Sequence, residues 1–503
     1  MNNIKIGAIM AYSMVVLNSI YALIITPYIL GVIGEMEYGV YKTISSFSSS
    51  LLILDLGIGG TVIRYVAKYR AQNKQERISN FISMIFGETV ILILIVAMVC
   101  FLMYFTLSSV YSSGLDYSQI ELAERLYIIL SINLLLHLIE NVLYGIISGY
   151  NQFVFSNGLK NSRIILRIIC TYVFLSMYKS SIALVIIDLG LTVFLITADY
   201  VYIKKGLRVT IAVSFKNWEK DVWLESFRYT VLMFLTSVAA QVNSNLDNVV
   251  IGIELGASEV AIYSMGLVIF SMFQCLSTGI SGVMLPTITN SLSHDPSGRQ
   301  AKEIIIASGR IQFILLGGVL AGFIIMGKKF IHLWLGSGYD DVYIIVLLLM
   351  GPSLLELCVN VCLSVLRAKN MIGFRTMILM VTTLINAFVT VFGVREYGYF
   401  AAAIGTGISF LFGSVFVMNI YYYIKLHYNM LEVYGHIFNR TWLCIITSSL
   451  ISVCLPPGGV SSIDGFLYEG TVFCVIYFVT LMVYGFNRNE KKQVKQVLWR
   501  IIK

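Results

Sequence analysis

The stretch TVILILIVAMVCFLMYFTL, residues 89–107, contains no charged side chain. An α-helix needs about 20 apolar residues of this kind to cross the roughly 30 Å hydrocarbon core of a bilayer. Comparable runs recur along the chain, so the sequence predicts an all-α integral membrane protein with 14 transmembrane helices. The predicted helices start near Ile9, Thr43, Ile78, Ala123, Gly158, Ile182, Tyr229, Val260, Ile304, Val342, Met371, Gly398, Phe438 and Phe466.

The composition agrees with a membrane protein. Of the 503 residues, 58% are hydrophobic and only 12% are charged, and the mean hydropathy is +0.83. Soluble domains have about 45–50% apolar and about 25% charged residues, so a soluble fold could not bury this much apolar surface. The net charge of +8 comes from short loops, where Lys and Arg orient membrane helices, and we expect no nucleic-acid partner.

The distribution of basic residues predicts the topology. If the N-terminus is cytoplasmic and the chain crosses 14 times, 29 of the 35 Lys and Arg residues lie on the cytoplasmic side and 6 on the other. The positive-inside rule expects such an imbalance for a correct topology. A missed helix would move every later loop to the opposite side of the membrane and so remove the imbalance. Both termini are therefore predicted to be cytoplasmic.

The two halves of the sequence resemble each other. The pattern G-x-x-E-x-x-x-Y starts at Gly34 and again at Gly256, an offset of 222 residues, and L-x-x-G-I-x-G repeats at the same offset from Leu54 and Leu276. This offset corresponds to six predicted helices, and an even number of crossings makes the repeat parallel. We expect two pseudo-symmetric six-helix lobes with a central cleft, residues 1–215 and 216–430, followed by two C-terminal helices at 431–486.

The last segment, residues 487–503, is predicted to be a basic amphipathic tail. Val494, Val497, Leu498 and Ile501 follow helical spacing, with lysines between them. Such a segment is typical of a helix lying on an anionic inner leaflet, so anchoring is its expected role.

The repeat stretches resemble the multidrug/oligosaccharidyl-lipid/polysaccharide exporter superfamily, and most closely its polysaccharide flippase branch. The stretches that carry this resemblance are 30–41, 55–64, 247–263 and 333–336. The resemblance implies that an undecaprenyl-pyrophosphate-linked oligosaccharide is moved from the inner to the outer leaflet of the cell inner membrane for O-antigen or capsule synthesis. It also implies, as partners, a polysaccharide polymerase and a chain-length regulator.

Charges within membrane helices are costly and usually face a cavity or a partner. Arg163 and Arg167 share one helix face, Arg64 ends the second predicted helix, and Arg310 lies early in the ninth. We expect all four in the cytoplasmic third, where guanidinium groups can bind pyrophosphate. The alternative is that they extend toward lipid phosphates.

Buried acids and amides are a second group of candidates, for lining the cleft or coupling transport to protons or cations. The alternative for each is a structural bond to a neighbouring helix. Asp188 and Asp199 are expected to lie near the two membrane surfaces and to be solvated. The candidates are Asp55, Glu88, Glu140, Asn243, Asp247 and Glu356.

Several other functions remain open from the sequence. A drug or cation antiporter and a peptidoglycan-precursor flippase would share the predicted architecture. A membrane glycosyltransferase or polymerase is disfavoured, because the longest outer loop, about 104–122, is short and no Asp-x-Asp or Gly-rich phosphate motif is present. The eight cysteines form no CxxC pair, so no metal or cofactor is expected.

Overall fold

A computed structural model describes residues 2–55, 57–72, 75–207, 209, 238, 245–282, 284–295, 298–369, 371, 373–454, 463–487 and 490–491. Every regular element within these ranges is helical. The chain divides into two compact units, one of residues 1–264 with 390–399 and one of residues 265–389 with 400–503. The predicted all-α class is confirmed.

The first unit is built from seven labelled helices and a further helical segment at 245–254. Helices α1 and α7 both pack against α6, and α5 packs against α2, α3, α4 and α7. A 3-10 turn, Leu51–Asp55, follows α2, and a π-helical turn, Ile203–Leu207, follows α7. The helices are α1 Asn2–Ile33, α2 Glu35–Ser50, α3 Ile58–Ala71, α4 Gln75–Tyr111, α5 Tyr117–Gly149, α6 Phe153–Met177 and α7 Ser181–Tyr202.

The second unit begins within α8 and has an apolar core in which Ile288, Ile305, Val365 and Ile437 are at most 1% exposed. Its helices are α8 Ala257–Gly282, α9 Met284–His294, α10 Arg299–Leu335, α11 Asp340–Cys358, α12 Cys362–Ala368, α13 Gly373–Tyr397, α14 Phe400–Ser409, α15 Met418–Leu426, α16 Met430–Phe438, α17 Thr441–Cys454 and α18 Ile463–Thr480. Residues 410–417 and 481–485 form π-helical turns.

Ten helices among the described residues are long and apolar enough to cross a membrane. They coincide with ten of the 14 predicted segments. Of the other four, the segment near Phe438 contains a shorter apolar helix at Thr441–Ser452, and the segment near Tyr229 lies outside the described residues. The segment near Gly158 is α6, which has 25 residues but also Lys160, Arg163 and Arg167. The multi-pass character is confirmed, whereas the count of 14 and the cytoplasmic termini stay predictions.

The fourth exception is the predicted second helix. It was expected to be one continuous helix that starts near Thr43. The structure has two helices here, α2 and α3, separated by the 3-10 turn and by Gly57. Gly57 has φ +68° in the left-handed region, which side chains other than glycine rarely adopt, so the helix ends there. Arg64 consequently lies inside α3 and not at the end of a longer helix.

The amphipathic helix α16 lies outside the candidate spans and is joined to α10 by an ion pair. Lys302 Nζ donates a 2.8 Å hydrogen bond to Glu432 Oε2. This hydrogen bond lowers the pKa of the Glu432 carboxyl below its ordinary value. A lowered folded-state pKa means that the stabilisation is present above the ordinary glutamate range and is lost as the pH falls through the folded pKa.

We therefore expect Lys302→Gln to lower the melting temperature slightly at pH 7, and this difference from wild type to shrink as the pH falls below about 4, where glutamate protonates. Thermal unfolding in detergent at several pH values measures it. Lys425→Gln on α15, where Lys425 is exposed, is the control and should show no such convergence. A pH-independent difference for Lys302→Gln would contradict the prediction.

Candidate functional site

Three cations line one face of α6 inside the first unit. Lys160, Arg163 and Arg167 are spaced three and four residues apart, so they follow one side of the helix over about 10 Å. All three side chains are partly buried. We call this set the α6 cationic face.

The helix that carries this face starts earlier than the sequence predicts. Arg163 and Arg167 were expected in the cytoplasmic third of a helix that starts near Gly158. Helix α6 begins at Phe153, because the polar segment before Gly158 is also helical, and this places Arg163 and Arg167 near its middle. Arg163 and Arg167 therefore lie in the middle turns of α6, and their expected place in the cytoplasmic third of the membrane stays a prediction.

Arg167 is held by a carboxylate on the neighbouring helix α7. Its Nη2 lies 2.7 Å from Asp188 Oδ2, and its guanidinium lies 4.9 Å from the ring centre of Tyr21. The side chain of Asp188 is only 14% exposed, so the expectation that Asp188 is solvated is wrong. The reason is packing: α6 and α7 lie side by side, and Asp188 faces Arg167 and not the surface.

The other two cations of the face have weaker anchors. Arg163 Nη2 lies 3.4 Å from Thr192 Oγ1, at the limit of a hydrogen bond. The Lys160 ammonium lies 3.4 Å from the ring centre of Tyr144. Both interact electrostatically with Glu140 on α5. No short ion pair involving Lys160 or Arg163 occurs among the described residues, so these donors are more accessible to a ligand than those of Arg167.

Lys42 is a further cation near this face, and it is one of the six basic residues that the predicted topology places on the outer side. It is partly buried on α2 and interacts electrostatically with both Arg167 and Asp188. Helix α2 begins at Glu35, directly after Gly34, which has φ +81°. Lys42 therefore lies in the third turn of this helix, and a helix start predicted at Gly34 would have identified Lys42 as a helical residue. The site thus has basic side chains from both α2 and α6.

Three of the acidic candidates lie in the same unit. Asp55 Oδ2 accepts a 3.2 Å hydrogen bond from Asn141 Nδ2, and Glu140 Oε2 lies 3.1 Å from His137 Nδ1. Asp55 Oδ1 and Glu88 Oε1 are buried and have no hydrogen-bond partner among the described residues. Unsatisfied buried carboxylate oxygens are costly and suit a site that binds a proton or a cation.

Asp199 on α7 is also buried, with 3% of its surface exposed. The sequence interpretation expected it to be solvated near the inner surface, and this expectation is wrong. It interacts electrostatically with Glu140 and Lys160, so it extends the acidic group toward the α6 cationic face. Its burial follows from the packing of α7 against α5 and α6.

The remaining acidic and amide candidates lie elsewhere. Asp247 is 4% exposed and accepts hydrogen bonds from Tyr263 Oη at 2.8 Å and Thr390 Oγ1 at 3.1 Å. In the second unit, Glu356 faces Arg375 across 3.8 Å. These contacts fit structural roles. The candidate Asn243 lies outside the described residues.

The two other predicted arginines do not join the α6 cationic face. Arg64 is exposed on α3, beside the ring of Tyr65. Arg310, in the second unit, is 4% exposed and donates to Glu490 at 2.6 Å and to the carbonyls of Asn439 at 2.9 Å and Gly485 at 2.5 Å. These partners occupy its guanidinium, which ties α10 to the chain after α16 and after α18.

The arrangement in the first unit can bind an anion. Several cationic donors lie along one helix in a partly desolvated environment. They favour binding of an anion with several charges over binding of a single carboxylate. Among the described residues no group of three or more His, Cys, Asp or Glu side chains has the geometry to hold a metal ion.

A model of the family described as "Polysaccharide biosynthesis protein" matches residues 5–292, which is more than half of the sequence. The chain belongs to the polysaccharide biosynthesis protein family. This family member is also 25% identical over 209 residues to the probable flippase AglR of Haloferax volcanii. That match covers 41% of the present chain and 41% of the relative, so it spans well under two thirds of the relative's length.

Two solved structures share the fold of this polysaccharide biosynthesis protein. The lipid II flippase MurJ, in an inward closed conformation, has a TM-score of 0.73 at 15% identity and covers 95% of this chain and 98% of its own. An inward-facing multidrug resistance MATE family transporter of the MOP superfamily has a TM-score of 0.62 at 13% identity, covering 83% and 98%. At such identities the likeness concerns the fold alone.

Proposed function

We propose that this protein is a flippase that moves an undecaprenyl-pyrophosphate-linked oligosaccharide from the inner to the outer leaflet, for O-antigen or capsule synthesis. The observation that carries the proposal is the α6 cationic face: three partly buried cations on one side of a helix, which we propose to lie within the membrane. Inserting a charge there costs about 2.5–3.5 kcal/mol, and three on one face are hard to explain by packing alone.

The contacts of the face suggest how a pyrophosphate is bound and released. Arg163, which contacts Thr192, and Lys160, which lies over the Tyr144 ring, donate to the phosphate oxygens. Arg167 stays paired with Asp188, which fixes the position of its guanidinium at the end of the face and largely cancels its charge. Fork-shaped guanidinium donors match phosphate oxygens, and the nearby acids keep the site from binding its ligand too tightly to release it.

The architecture that we propose for this activity has 14 helices with both termini cytoplasmic. Its two lobes, residues 1–215 and 216–430, are supported by the repeat at offset 222 and by the distribution of basic residues. Alternating exposure of a site between such lobes is the common transport mode of parallel-repeat transporters. Helices at 431–486 and the basic tail at 487–503 complete the proposed chain organisation, in the cell inner membrane.

Coupling to a proton or cation gradient is assigned, in this proposal, to Asp55, Glu88 and Glu140. It is supported by the unpartnered buried oxygens of Asp55 and Glu88 and by the His137 contact of Glu140. We further propose that a polysaccharide polymerase and a chain-length regulator receive the translocated unit.

A second candidate is a drug or cation antiporter, favoured by the MATE-like fold and by the buried acids. The two functions require opposite ligand charges. An antiporter for cationic drugs would place the acids at the substrate site, whereas a lipid-linked glycan flippase needs the α6 cationic face there.

The proposal is tested by reconstituting the full chain in liposomes that contain a fluorescent polyprenyl-pyrophosphate oligosaccharide. A membrane-impermeant reagent added outside reports how much of the label becomes accessible with time. We expect accessibility to rise faster than in protein-free liposomes. An unchanged rate, together with uptake of a cationic dye, would replace the flippase by the antiporter.

A further inference from the structure

A groove on the surface of the first unit lies between the N-terminal end of α6 and the C-terminal half of α7. Its volume is about 430 Å³, within the usual range for small-ligand sites of about 300–1,000 Å³. Its lining is mostly apolar, with Phe155, Phe194, Ala198 and Val201, and also includes Thr197 and Lys205. The groove lies away from Arg163 and Arg167, which are not among its lining residues.

The shape of the groove fits one lipid chain. The lining residues from Phe194 to Lys205 follow one face of α7 over about 16 Å, which is close to the thickness of a single leaflet, half of the roughly 30 Å hydrocarbon core. Phe155 stacks on Tyr202 with ring centres 3.7 Å apart and planes 10° apart. This stack joins α6 to α7 and gives the groove a rigid aromatic wall.

The charged end of the groove favours an anionic headgroup. Lys204 and Lys205 lie in the π-helical turn Ile203–Leu207, and both are exposed. Within the part of the chain that the structure describes, neither forms an ion pair. The basic-residue distribution assigns this turn to the cytoplasmic side, and basic pockets at that level commonly bind anionic lipid headgroups.

We infer that this groove binds one acyl chain of an anionic phospholipid, whose phosphate contacts Lys204 and Lys205. The apolar lining binds the acyl chain of the lipid. The lysine pair favours an anionic headgroup over a zwitterionic one. The site is separate from the α6 cationic face, so the inference does not depend on the proposed transport activity.

Native mass spectrometry of the purified full chain tests this inference, with phosphatidylglycerol and phosphatidylcholine of identical acyl chains as probes. We expect phosphatidylglycerol to bind more tightly. Lys204→Gln with Lys205→Gln should weaken phosphatidylglycerol binding by about five-fold for each lysine and leave phosphatidylcholine unchanged. Ala198→Trp should fill the groove and weaken both lipids. Lys425→Gln, an exposed lysine distant in sequence, is the matched control and should bind both lipids as wild type does.

Equal binding of the two lipids by the wild type would overturn the inference, and so would unchanged phosphatidylglycerol binding in the double lysine variant. Displacement of phosphatidylglycerol by undecaprenyl phosphate at equal concentration would also overturn it, because the groove would then belong to the polyprenyl chain. The lysine variants alter only exposed side chains, so the test holds even if Ala198→Trp fails to fold. A normal melting temperature of the lysine variants confirms that they are folded.

Discussion

Arg163→Glu combined with Arg167→Glu is expected to reduce translocation of the lipid-linked glycan to the rate of protein-free liposomes. A charge-assisted hydrogen bond is worth about 1.5–3 kcal/mol, so losing even one donor to the phosphate should slow transport about ten-fold or more. The reversed charges also repel the pyrophosphate and face Asp188 and Glu140. The liposome accessibility assay measures the rate.

The double variant loses the Arg167–Asp188 ion pair and places like charges together, so its folding must be checked separately. Arg163→Gln avoids this difficulty, because Arg163 has a 3.4 Å contact with Thr192 and, among the described residues, no short ion pair. We expect Arg163→Gln to keep the wild-type melting temperature and still slow translocation. The matched control is Arg125→Glu, since Arg125 is 63% exposed and pairs only with Glu121 on its own helix among the described residues. Wild-type rates in folded Arg163→Gln and in the double variant would remove the α6 cationic face from the substrate site.

Gly39→Ala is expected to destabilise the protein, although alanine is the better helix former. At an unobstructed helix position this change should stabilise by about 0.8–1 kcal/mol. A Cβ on Gly39 would instead overlap the carbonyl oxygen of Ala257 and lie 3.0 Å from its Cα. Because both groups are backbone, they cannot move aside as a flexible side chain can, and overpacking of this kind costs about 1–3 kcal/mol. The sign of the change in melting temperature is the measurement.

Gly60→Ala is the matched control, because a Cβ at Gly60 meets nothing within 4 Å and the residue is also helical. It should be neutral or slightly stabilising. Gly39 and Ala257 belong to the same compact unit, so the clash should act on the packing of that unit. Equal melting temperatures for the two alanine variants would show that the Gly39–Ala257 contact carries little energy.

The sequence predicted the fold class correctly because hydrophobic run length is a local property. Ten predicted spans coincide with apolar helices of the structure. The exceptions are informative: α6 is long enough to span but carries three cations, and the helix expected near Thr43 is divided at Gly57. A left-handed glycine cannot be distinguished from a packing glycine by hydropathy, so this break was not predictable.

The candidate site was predicted in part. Arg163 and Arg167 were placed on one helix face, as the structure has them, because i and i+4 positions coincide whatever surrounds the helix. The start of α6 was predicted near Gly158, whereas the helix begins at Phe153; the depth of the two arginines in the membrane stays a prediction. Lys42 was missed, and Asp188 was expected in water. The first error comes from starting the helix near Thr43 instead of at Glu35, and the second concerns which helix packs against α6, which no local pattern encodes.

By itself, the sequence determined that this is a multi-pass α-helical membrane protein of the polysaccharide biosynthesis family, because apolar run length and family motifs are read along the chain. Only the tertiary structure decided that Asp188 pairs with Arg167, that Arg310 is occupied by Glu490 and backbone carbonyls, and that Gly39 abuts Ala257. Each of these contacts joins residues distant in sequence. The partner of a buried charge depends on helix neighbours and rotation, which are set by packing over the whole bundle.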